Sequence, residues 1–397
     1  MIQKSKLNRY RNLSREREEK YINVNPIQRG GVLTPEARKA LLEFGDGYSA
    51  CDYCVKGRLD MIKRPPIQDF MVDLAEFLDM DEARVVTRCR EAKYIVFRML
   101  AEPGDTVVVD ALAHYTTYLA AEACGLQVKE VSNSGYPEFK TKVDAYGGKI
   151  EEVKRVTGKP PALVLLTHVD SRYGNLSDAK AVGKIAHQYD VPFLLNAAYT
   201  AGVMPVSGKS LGADFITASG HKSWAASAPI GILALREEYS EKVLARSKIV
   251  GETSGRKFPI KEVALIGCAV GGVPLFTLMA SFPSVVERVR NWDEEVKKAR
   301  FAVRELERIE GTRQLGAKPK EHTLIHLEND GFYKISQKHR RKGWFLHNEL
   351  KKRSVVGVQP GLTKHFEINT YGLTWDQIRY AVSAFQEIAE KYKLEID

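Results

Sequence analysis

Runs of apolar and β-branched residues alternate with longer amphipathic patterns from about Val85 onward. Three of these runs are Thr106–Asp110, Ala162–Thr167 and Pro192–Asn196. Apolar runs of this length are typical of parallel strands buried on both faces, and the amphipathic stretches between them predict crossover helices. The pattern therefore predicts a three-layer α/β/α domain, in which the residues that directly follow each strand are expected to form a ligand site.

Two of the amphipathic stretches predict individual helices. The segment Ser177–Tyr189 places Val182, Ile185 and Ala186 on one face, and its first residue is a candidate N-cap. The stretch Pro274–Ile309 has a charged second half. It predicts one long helix that leaves the large domain.

The C-terminal part changes character and predicts a smaller α+β domain. Its expected elements are His322–Glu328, Tyr333–Ser336, Gly343–Lys352, Val355–Val358 and a final helix from about Thr374. A short helix is expected after Thr34-Pro35, because proline suits a first turn. We therefore expect an N-terminal arm over residues 1–40, a large domain over 41–290 and a small C-terminal domain over 291–397.

The composition is that of a soluble globular protein. Of the 397 residues, 44% are hydrophobic and 28% are charged, and no apolar run is long enough to cross a bilayer. The N-terminus lacks the apolar core of a secretory signal, so we expect a cytoplasmic protein without a membrane partner. The net charge of +10 favours polyanionic partners such as tRNA, although a lysine-rich surface of a thermophilic host predicts the same charge.

The five cysteines are Cys51, Cys54, Cys89, Cys124 and Cys268. An odd number in a cytoplasmic protein favours metal or redox chemistry over a disulfide framework. The Cys51-x-x-Cys54 pair and Cys268 are the candidates for this chemistry, while small buried residues would give the same spacing by chance.

A strand that ends in small residues and then His-Lys is expected within Ala213–Trp224. A lysine that binds the aldehyde of pyridoxal phosphate (PLP) as a Schiff base needs such a strand-end loop to aim its amine, and small neighbours leave room for the ring and the phosphate. Lys222 meets this need, although a surface lysine on a turn could also follow Ser-Gly-His. The other strand ends favour the cofactor role.

Asn196 ends the preceding strand, where PLP enzymes place the partner of the pyridine nitrogen, and Tyr199 follows in the same turn. In most PLP enzymes this partner is an aspartate, which keeps the nitrogen protonated and makes the ring a strong electron sink. A neutral amide supports a weaker sink. This favours loss of an α-proton with prompt departure of a good leaving group.

Two further strand ends add to these candidates. Val86–Lys93 opens a helix after a strand, and helix N-terminal amides beside arginines make a phosphate cradle, for which Arg90 and Glu91 are the candidates. His114 lies at a strand–helix junction. Its imidazole is placed to stack on a cofactor ring.

The ordered motifs Thr-Arg-Cys-Arg-Glu-Ala, Ala-His-Tyr, Asn-Ala-Ala-Tyr and Ser-Gly-His-Lys resemble those of class V PLP enzymes, which include the cysteine desulfurases. Residues 23–35, Cys51-Asp-Tyr-Cys54 and Asn369-Thr-Tyr-Gly-Leu are similar to the O-phospho-L-seryl-tRNA(Cys):L-cysteinyl-tRNA(Cys) synthases, over essentially the whole chain. The resemblance implies an α/β protein of PLP fold type I, the aspartate-aminotransferase-like fold, with a large three-layer α/β/α domain and a smaller C-terminal α+β domain. It also implies a homodimer.

The resemblance implies roles for individual residues. Lys222 would hold PLP, Arg90 and Glu91 would belong to the phosphate loop, and Asn196 would face the ring nitrogen. The other implied cofactor contacts are His114, Tyr199, Ser219, Gly220 and His221. In this family, three cysteines act in catalysis as persulfide carriers or ligate an iron–sulfur cluster, and they match Cys51, Cys54 and Cys268.

The implied reaction is PLP-dependent β-replacement of phosphate by sulfur on phosphoseryl-tRNA(Cys), which gives cysteinyl-tRNA(Cys). A sulfur donor, a phosphoseryl-tRNA synthetase and an accessory protein are the expected partners. Cations would bind the substrate phosphate. The candidate donors, which the sequence does not rank, are Arg90, Arg172, Arg246 and Arg256.

Two alternatives remain at this point. A cysteine desulfurase or selenocysteine lyase would use Cys268 as nucleophile on a free amino acid, but desulfurases carry a carboxylate-binding arginine where this chain reads Lys364–Thr370, so that Lys364 would have to replace it. A non-catalytic tRNA-binding protein on the same fold would keep the basic surface without the chemistry. The intact Lys222 argues against the second alternative.

Overall fold

The computed structural model describes residues 20–27, 29–46, 49–51, 65–265 and 269–397. For residues 49–51 and 269 it describes the backbone alone. Within these residues the strands are β1 (Ile22–Asn23), β2 (Ser49–Cys51), β3 (Glu82–Val86), β4 (Thr106–Asp110), β5 (Gln127–Val131), β6 (Leu163–Thr167), β7 (Phe193–Asn196), β8 (Phe215–Ser219), β9 (Gly231–Leu235), β10 (Ala269–Gly271), β11 (Thr312–Leu315), β12 (Leu324–Asn329), β13 (Val355–Val356) and β14 (His365–Asn369).

The α-helices surround these strands. In chain order they are α1 (Pro35–Glu43), α2 (Ile67–Phe77), α3 (Cys89–Leu100), α4 (Tyr115–Ala123), α5 (Ala145–Thr157), α6 (Ala179–Gln188), α7 (Gly208–Leu211), α8 (Gly220–Ser223), α9 (Ser240–Val243), α10 (Gly272–Val289), α11 (Trp292–Glu307), α12 (Asp330–Lys338), α13 (Phe345–Lys352) and α14 (Trp375–Lys391).

A seven-stranded sheet in the order β3-β9-β8-β7-β6-β4-β5 forms the centre of the large domain. The predicted strands β4, β6 and β7 are parallel, buried at every position and covered by helices on both faces. Strand β9 is antiparallel to both β3 and β8, which the sequence pattern did not indicate. Its direction follows from the connection, because the short segment from Lys222 to Ile230 contains no crossover helix of the length that a parallel return needs.

Two predicted helices differ in detail from the structure. Asp178, and not Ser177, caps α6, since its Oδ1 accepts a 3.0 Å hydrogen bond from the Ala181 amide. The single helix expected over residues 274–309 is wrong, because the chain breaks at Asn291 between α10 and α11. Three acidic residues in the first turn of α11 stabilise the new N-terminus by facing its dipole.

The small C-terminal lobe is built on the antiparallel sheet β11-β12-β14. Its hydrophobic core includes Phe345, Phe366 and Phe385 and takes in Val24 from the N-terminal segment. Strand β1 pairs in parallel with β13, so residues near the start of the described chain are part of this lobe. A separate core packs on each face of the large sheet.

The N-terminal segment also reaches the large sheet. A Cβ atom on Gly31 would lie 1.8 Å from the His221 carbonyl oxygen, and one on Gly30 would lie 2.7 Å from the carbonyl oxygen of Lys222. The backbone therefore approaches α8 at a distance that only glycine permits. No helix in the described ranges is long and apolar enough to cross a membrane.

Candidate active site

A cavity of about 560 Å³ opens at the carboxyl edge of the parallel strands. Helix α3, the turns after β4, β6, β7 and β8, and strand β14 of the small lobe contribute to its wall. It brings together many of the sequence-predicted residues, namely Arg90, His114, Arg172, Asn196, Tyr199, Ser219, His221 and Lys222. Their common position follows from the topology, because the carboxyl ends of parallel strands meet at one edge.

Lys222 lies in the single turn α8, directly after β8. Its Nζ atom is 4.4 Å from the ring centroid of Tyr199. Lys222 forms no ion pair with a carboxylate in the described part of the chain, and burial lowers the pKa of its amine, an effect that Cys89 partly opposes. A half-buried lysine with a lowered pKa and no such partner is therefore able to present a neutral, nucleophilic amine.

The residues before Lys222 shape this turn. Gly220 is buried, and a Cβ atom there would lie 2.3 Å from Ile230 Cγ2, so the turn has room only for glycine. Ser219 Oγ lies 3.2 Å from His221 Nδ1. Burial, reinforced by the nearby cations Lys222 and Arg88, lowers the pKa of His221 to about 4. The His221 imidazole is therefore neutral at physiological pH.

His114 caps α4 and faces the same cavity. Its Nδ1 atom accepts a hydrogen bond of 3.3 Å from the Thr116 amide, and its ring contacts that of Tyr115 at 4.3 Å between centroids. Burial, followed by the charges of Lys222, Lys93 and Arg90, lowers the pKa of His114 to about 4. Its neutral ring suits stacking on a planar ligand.

The two predicted phosphate-loop residues at the start of α3, Arg90 and Glu91, take different positions in the structure. Arg90 lines the cavity, and its Nη2 atom donates a 3.2 Å hydrogen bond to the Tyr115 hydroxyl. Glu91 is not among the lining residues, since its carboxylate accepts hydrogen bonds from the amide and hydroxyl of Thr87. Glu91 therefore shapes the loop in this structure, and its role as a cofactor contact stays a prediction.

Asn196 is 4% exposed and lies at the end of β7. Its Oδ1 atom is 3.9 Å from the Sγ atom of Cys89, a free thiol in the cavity wall. Tyr199 follows in the same turn, and burial, with a further contribution from Glu367, raises the pKa of its hydroxyl. Sequence reasoning named Cys89 only in passing, although its place at the first turn of α3 was visible in the phosphate-loop motif.

Lys93 is a cavity residue that sequence reasoning missed. It is 1% exposed, and its Nζ atom donates hydrogen bonds to the hydroxyls of Thr116 at 2.8 Å and Thr117 at 3.1 Å. Burial lowers its pKa to about 8, with Lys222 lowering it further and Cys89 opposing the shift. A signal was available, because Lys93 occupies the apolar face of α3, at the i+4 position from Cys89.

Arg172 enters the cavity from the loop after β6. The buried carboxylate of Asp170 accepts hydrogen bonds from the backbone amides of Arg172 and Asn175, both at 2.9 Å, and from that of Tyr173. From the small lobe, the buried Lys320 donates to the carbonyls of Tyr173 and Gly174. This arrangement fixes the backbone that carries Arg172.

The small lobe contributes Glu367, which sequence reasoning also missed. It lies on β14 and lines the cavity. Lys364, the proposed substitute for a carboxylate-binding arginine, instead pairs with Asp330 at 3.6 Å and does not line the cavity. Arg246 and Arg256 also lie outside the cavity wall of this chain, on an exposed segment.

The predicted sulfur-handling cysteines are only partly described. Cys54 and Cys268 lie outside the described residues, and for Cys51 the backbone alone is described. The antiparallel register of β2 and β10 pairs Cys51 with Ala269, which directly follows Cys268 in the sequence. The described residues contain no cluster of histidine, cysteine and carboxylate side chains that would hold a metal ion.

Comparisons with known proteins place this site in a family context. A family model described as O-phosphoseryl-tRNA(Sec) selenium transferase matches residues 88–390. O-phospho-L-seryl-tRNA:Cys-tRNA synthases from Methanopyrus kandleri and Methanocaldococcus jannaschii are 57% and 52% identical to the chain; each alignment covers 98% of this chain, and 99% and 100% of the relative.

One solved structure is similar to this chain at a comparable sequence identity. It is a complex of SepCysS with the N-terminal domain of SepCysE, has a TM-score of 0.89 and 50% identity, and the match covers 97% of this chain and 99% of the other. A cysteine desulfurase from Thermococcus onnurineus NA1 has a TM-score of 0.71 at 19% identity, over 93% and 95% of the two chains. The latter similarity bears on the fold alone, which is the aminotransferase-like fold of PLP enzymes.

Proposed function

The chain belongs to the O-phospho-L-seryl-tRNA:Cys-tRNA synthases and converts phosphoseryl-tRNA(Cys) to cysteinyl-tRNA(Cys) with PLP, and we propose that Lys222 is the residue that holds the cofactor. The observation that carries this assignment is the half-buried Lys222 amine, which has no carboxylate partner among the described residues, in a cavity whose other lining cations include Arg88, Arg90 and Lys93. The predicted fold type I is confirmed by the structural similarity to the cysteine desulfurase.

The residues of the cavity suit PLP in shape and charge. Neutral His114 offers a flat ring, buried Asn196 offers an amide, and α3 directs its N-terminal amides and Arg90 toward the same space. These groups would stack on the pyridine ring, face its nitrogen and bind its phosphate, respectively. When bound, PLP supplies an electron sink for the electron pair that remains when the substrate α-proton leaves.

The protein's own groups then manage protons and charge. The Lys222 amine, freed when substrate binds, takes the α-proton on Nζ and later returns it, which its lowered pKa favours. Phosphate leaves the β-carbon with the bonding electron pair, and a sulfur nucleophile bonds to the same carbon. Arg90 and Arg172 are the cavity arginines placed to neutralise the departing phosphate.

We propose that Cys51, Cys54 and Cys268 carry the sulfur as a persulfide, which one thiolate forms by taking sulfane sulfur from a donor persulfide that leaves as a thiol. Support comes from the register that pairs Cys51 with Ala269, one residue after Cys268 in the sequence. No finding supports an iron–sulfur cluster at these cysteines. Their substitution by alanine is expected to abolish donor-dependent turnover, and unaffected turnover both with the donor and with free sulfide would refute the role.

The similarity to this family supports a proposal for the partners. We propose a homodimer that takes phosphoseryl-tRNA(Cys) from a phosphoseryl-tRNA synthetase, with an accessory protein bound as in the SepCysS–SepCysE complex. The net charge of +10 supports contact with tRNA.

The decisive experiment supplies the PLP-loaded chain with phosphoseryl-tRNA(Cys) and sulfide. We expect cysteinyl-tRNA from the wild type and none from Lys222→Ala, with Lys184→Ala, on the exposed surface of α6, as the matched control. Alanine released from free cysteine, with no product on tRNA, would contradict the proposal and indicate a desulfurase.

A further inference from the structure

Glu367 is the one acidic side chain among the cavity-lining residues of the described chain. The other charged groups in the wall are the cations Arg88, Arg90, Lys93, Arg172 and Lys222. A carboxylate weakens the attraction of such a cavity for an anionic ligand, so its presence calls for a specific reason.

Among the described residues, no lysine or arginine forms an ion pair with Glu367. Its ion-pair contact within the described residues is with His326, whose Nδ1 lies 3.5 Å from Glu367 Oε1. The same Nδ1 donates a 2.9 Å hydrogen bond to the Arg172 carbonyl. The Nε2 atom of His326 is buried without a hydrogen-bond partner in the described structure.

Glu367 and the reacting amine of Lys222 line the same cavity. The ring centroid of Tyr199 lies 4.4 Å from Lys222 Nζ, and the charge of Glu367 contributes to the raised pKa of the Tyr199 hydroxyl. An amino acid that reacts at the Lys222 position has its carboxyl group bonded to the same α-carbon as its amine. The carboxyl group of such a ligand therefore lies in the cavity whose wall carries Glu367.

We propose that Glu367 determines specificity by repelling the α-carboxylate of free amino acids while accepting an aminoacyl ester. The inference rests on the proposed function, in which the substrate is esterified to tRNA and has no free α-carboxylate. The carboxylate of Glu367 therefore lowers the binding affinity of such a substrate only slightly. Free phosphoserine and free cysteine carry an extra negative charge that must approach it at close range in a partly desolvated site.

The test compares two ligands that differ only in this charge. The phosphonate isostere of O-phospho-L-serine, in which a methylene replaces the bridging oxygen, cannot lose phosphate. It is titrated as the free acid and as the α-carboxamide into the full-length PLP-loaded protein, and each Kd is measured by calorimetry. Comparing the acid-to-amide ratio of Kd between variants cancels the different basicity of the two amines.

We expect Glu367→Gln to lower the acid-to-amide ratio of Kd by on the order of tenfold, the size of a close like-charge repulsion in a partly solvated site. Glu367→Asp, which keeps the charge, is expected to retain most of the wild-type ratio. Glu328→Gln is the matched control, because Glu328 lies on the neighbouring strand β12 and does not line the cavity.

The proposal is overturned if Glu367→Gln leaves the ratio unchanged, or if both ligands gain or lose affinity by the same factor. Turnover of phosphoseryl-tRNA by the wild type is measured beside the titrations. Failure of the wild type to form cysteinyl-tRNA would refute the proposed function, whereas normal turnover with an unchanged ratio in Glu367→Gln would refute only the role of Glu367.

Discussion

The Nζ atom of Lys222 lies 4.4 Å from the ring centroid of Tyr199, and both side chains line the same cavity. An aromatic face stabilises the charged form of an amine, here against burial, which lowers the pKa of Lys222. The ring therefore limits how far the Lys222 pKa falls.

Replacement of the Tyr199 ring is expected to lower the pKa of Lys222 further. Tyr199→Leu removes the aromatic face, which is worth about 1 kcal/mol, whereas Tyr199→Phe keeps it. The measurement is the pH dependence of Lys222 alkylation in the cofactor-free protein, followed by mass spectrometry. Equal profiles for the two variants would contradict the role of the ring.

Lys93 is expected to make the free energy of unfolding depend on pH in the alkaline range. Its pKa is lowered from 10.5 to about 8, so between these values the unfolded chain binds a proton that the folded protein does not. The contribution of Lys93 to the free energy of unfolding is therefore constant below about pH 8. It rises by up to about 3 kcal/mol as the pH increases from about 8 to 10.5.

The measurement is urea unfolding of wild type and Lys93→Met from pH 7.5 to 9.5. The wild type is expected to gain stability relative to Lys93→Met as the pH rises through about 8. Lys184→Met, on the exposed face of α6, serves as control and should show no such trend. Parallel curves for wild type and Lys93→Met would refute the prediction.

Asp170→Asn is expected to weaken the loop that carries Arg172. The carboxylate accepts three backbone hydrogen bonds, and an amide keeps only one acceptor oxygen, which should cost about 2 kcal/mol of unfolding free energy and raise the KM for phosphoseryl-tRNA. Asp178→Asn is the matched control, because asparagine caps a helix as well as aspartate does. Equal effects of the two substitutions would count against the special role of Asp170.

Gly220→Ala is expected to displace the Lys222 turn and to lose PLP affinity, since the added Cβ would lie 2.3 Å from Ile230 Cγ2. Ile230→Ala in the same chain should restore part of the loss by making room. Gly148→Ala is the contrasting variant: it lies in α5 with nothing within 4 Å of its Cβ position and should stabilise the protein by about 0.5–1 kcal/mol. Cofactor affinity is measured by equilibrium dialysis, and normal affinity in Gly220→Ala would contradict the expectation.

Local sequence patterns predicted the strands β4, β6 and β7 and the residues at their ends, because a buried strand and its following turn are read from one short segment. For this reason the sequence alone was enough to assign Asn196 and Lys222 to one cavity. The reversed direction of β9 depended instead on a short connection without a crossover helix. The break at Asn291 is not indicated by the charged pattern, and Asn291 makes no side-chain capping hydrogen bond that would have marked it.

Glu367 could not be placed from the sequence, since it reaches the cavity from a different lobe through the pairing of β12 and β14. In the sequence, the stretch Lys364–Thr370 indicated only that the carboxylate-binding arginine of desulfurases is absent. Lys93 was missed for another reason, because a lysine is assumed to be solvated unless its helical face is compared with its neighbours. Long-range packing, rather than the local sequence pattern, brings both residues into the cavity wall.

The N-terminal segment joins two parts of the molecule that the chain otherwise connects only through α10 and α11. Ile22 and Asn23 pair with the small lobe, while Gly30 and Gly31 press on the turn that carries Lys222. We therefore expect a rotation of the small lobe to shift the turn that carries Lys222, so that the direction of its amine depends on the position of the lobe that carries Glu367.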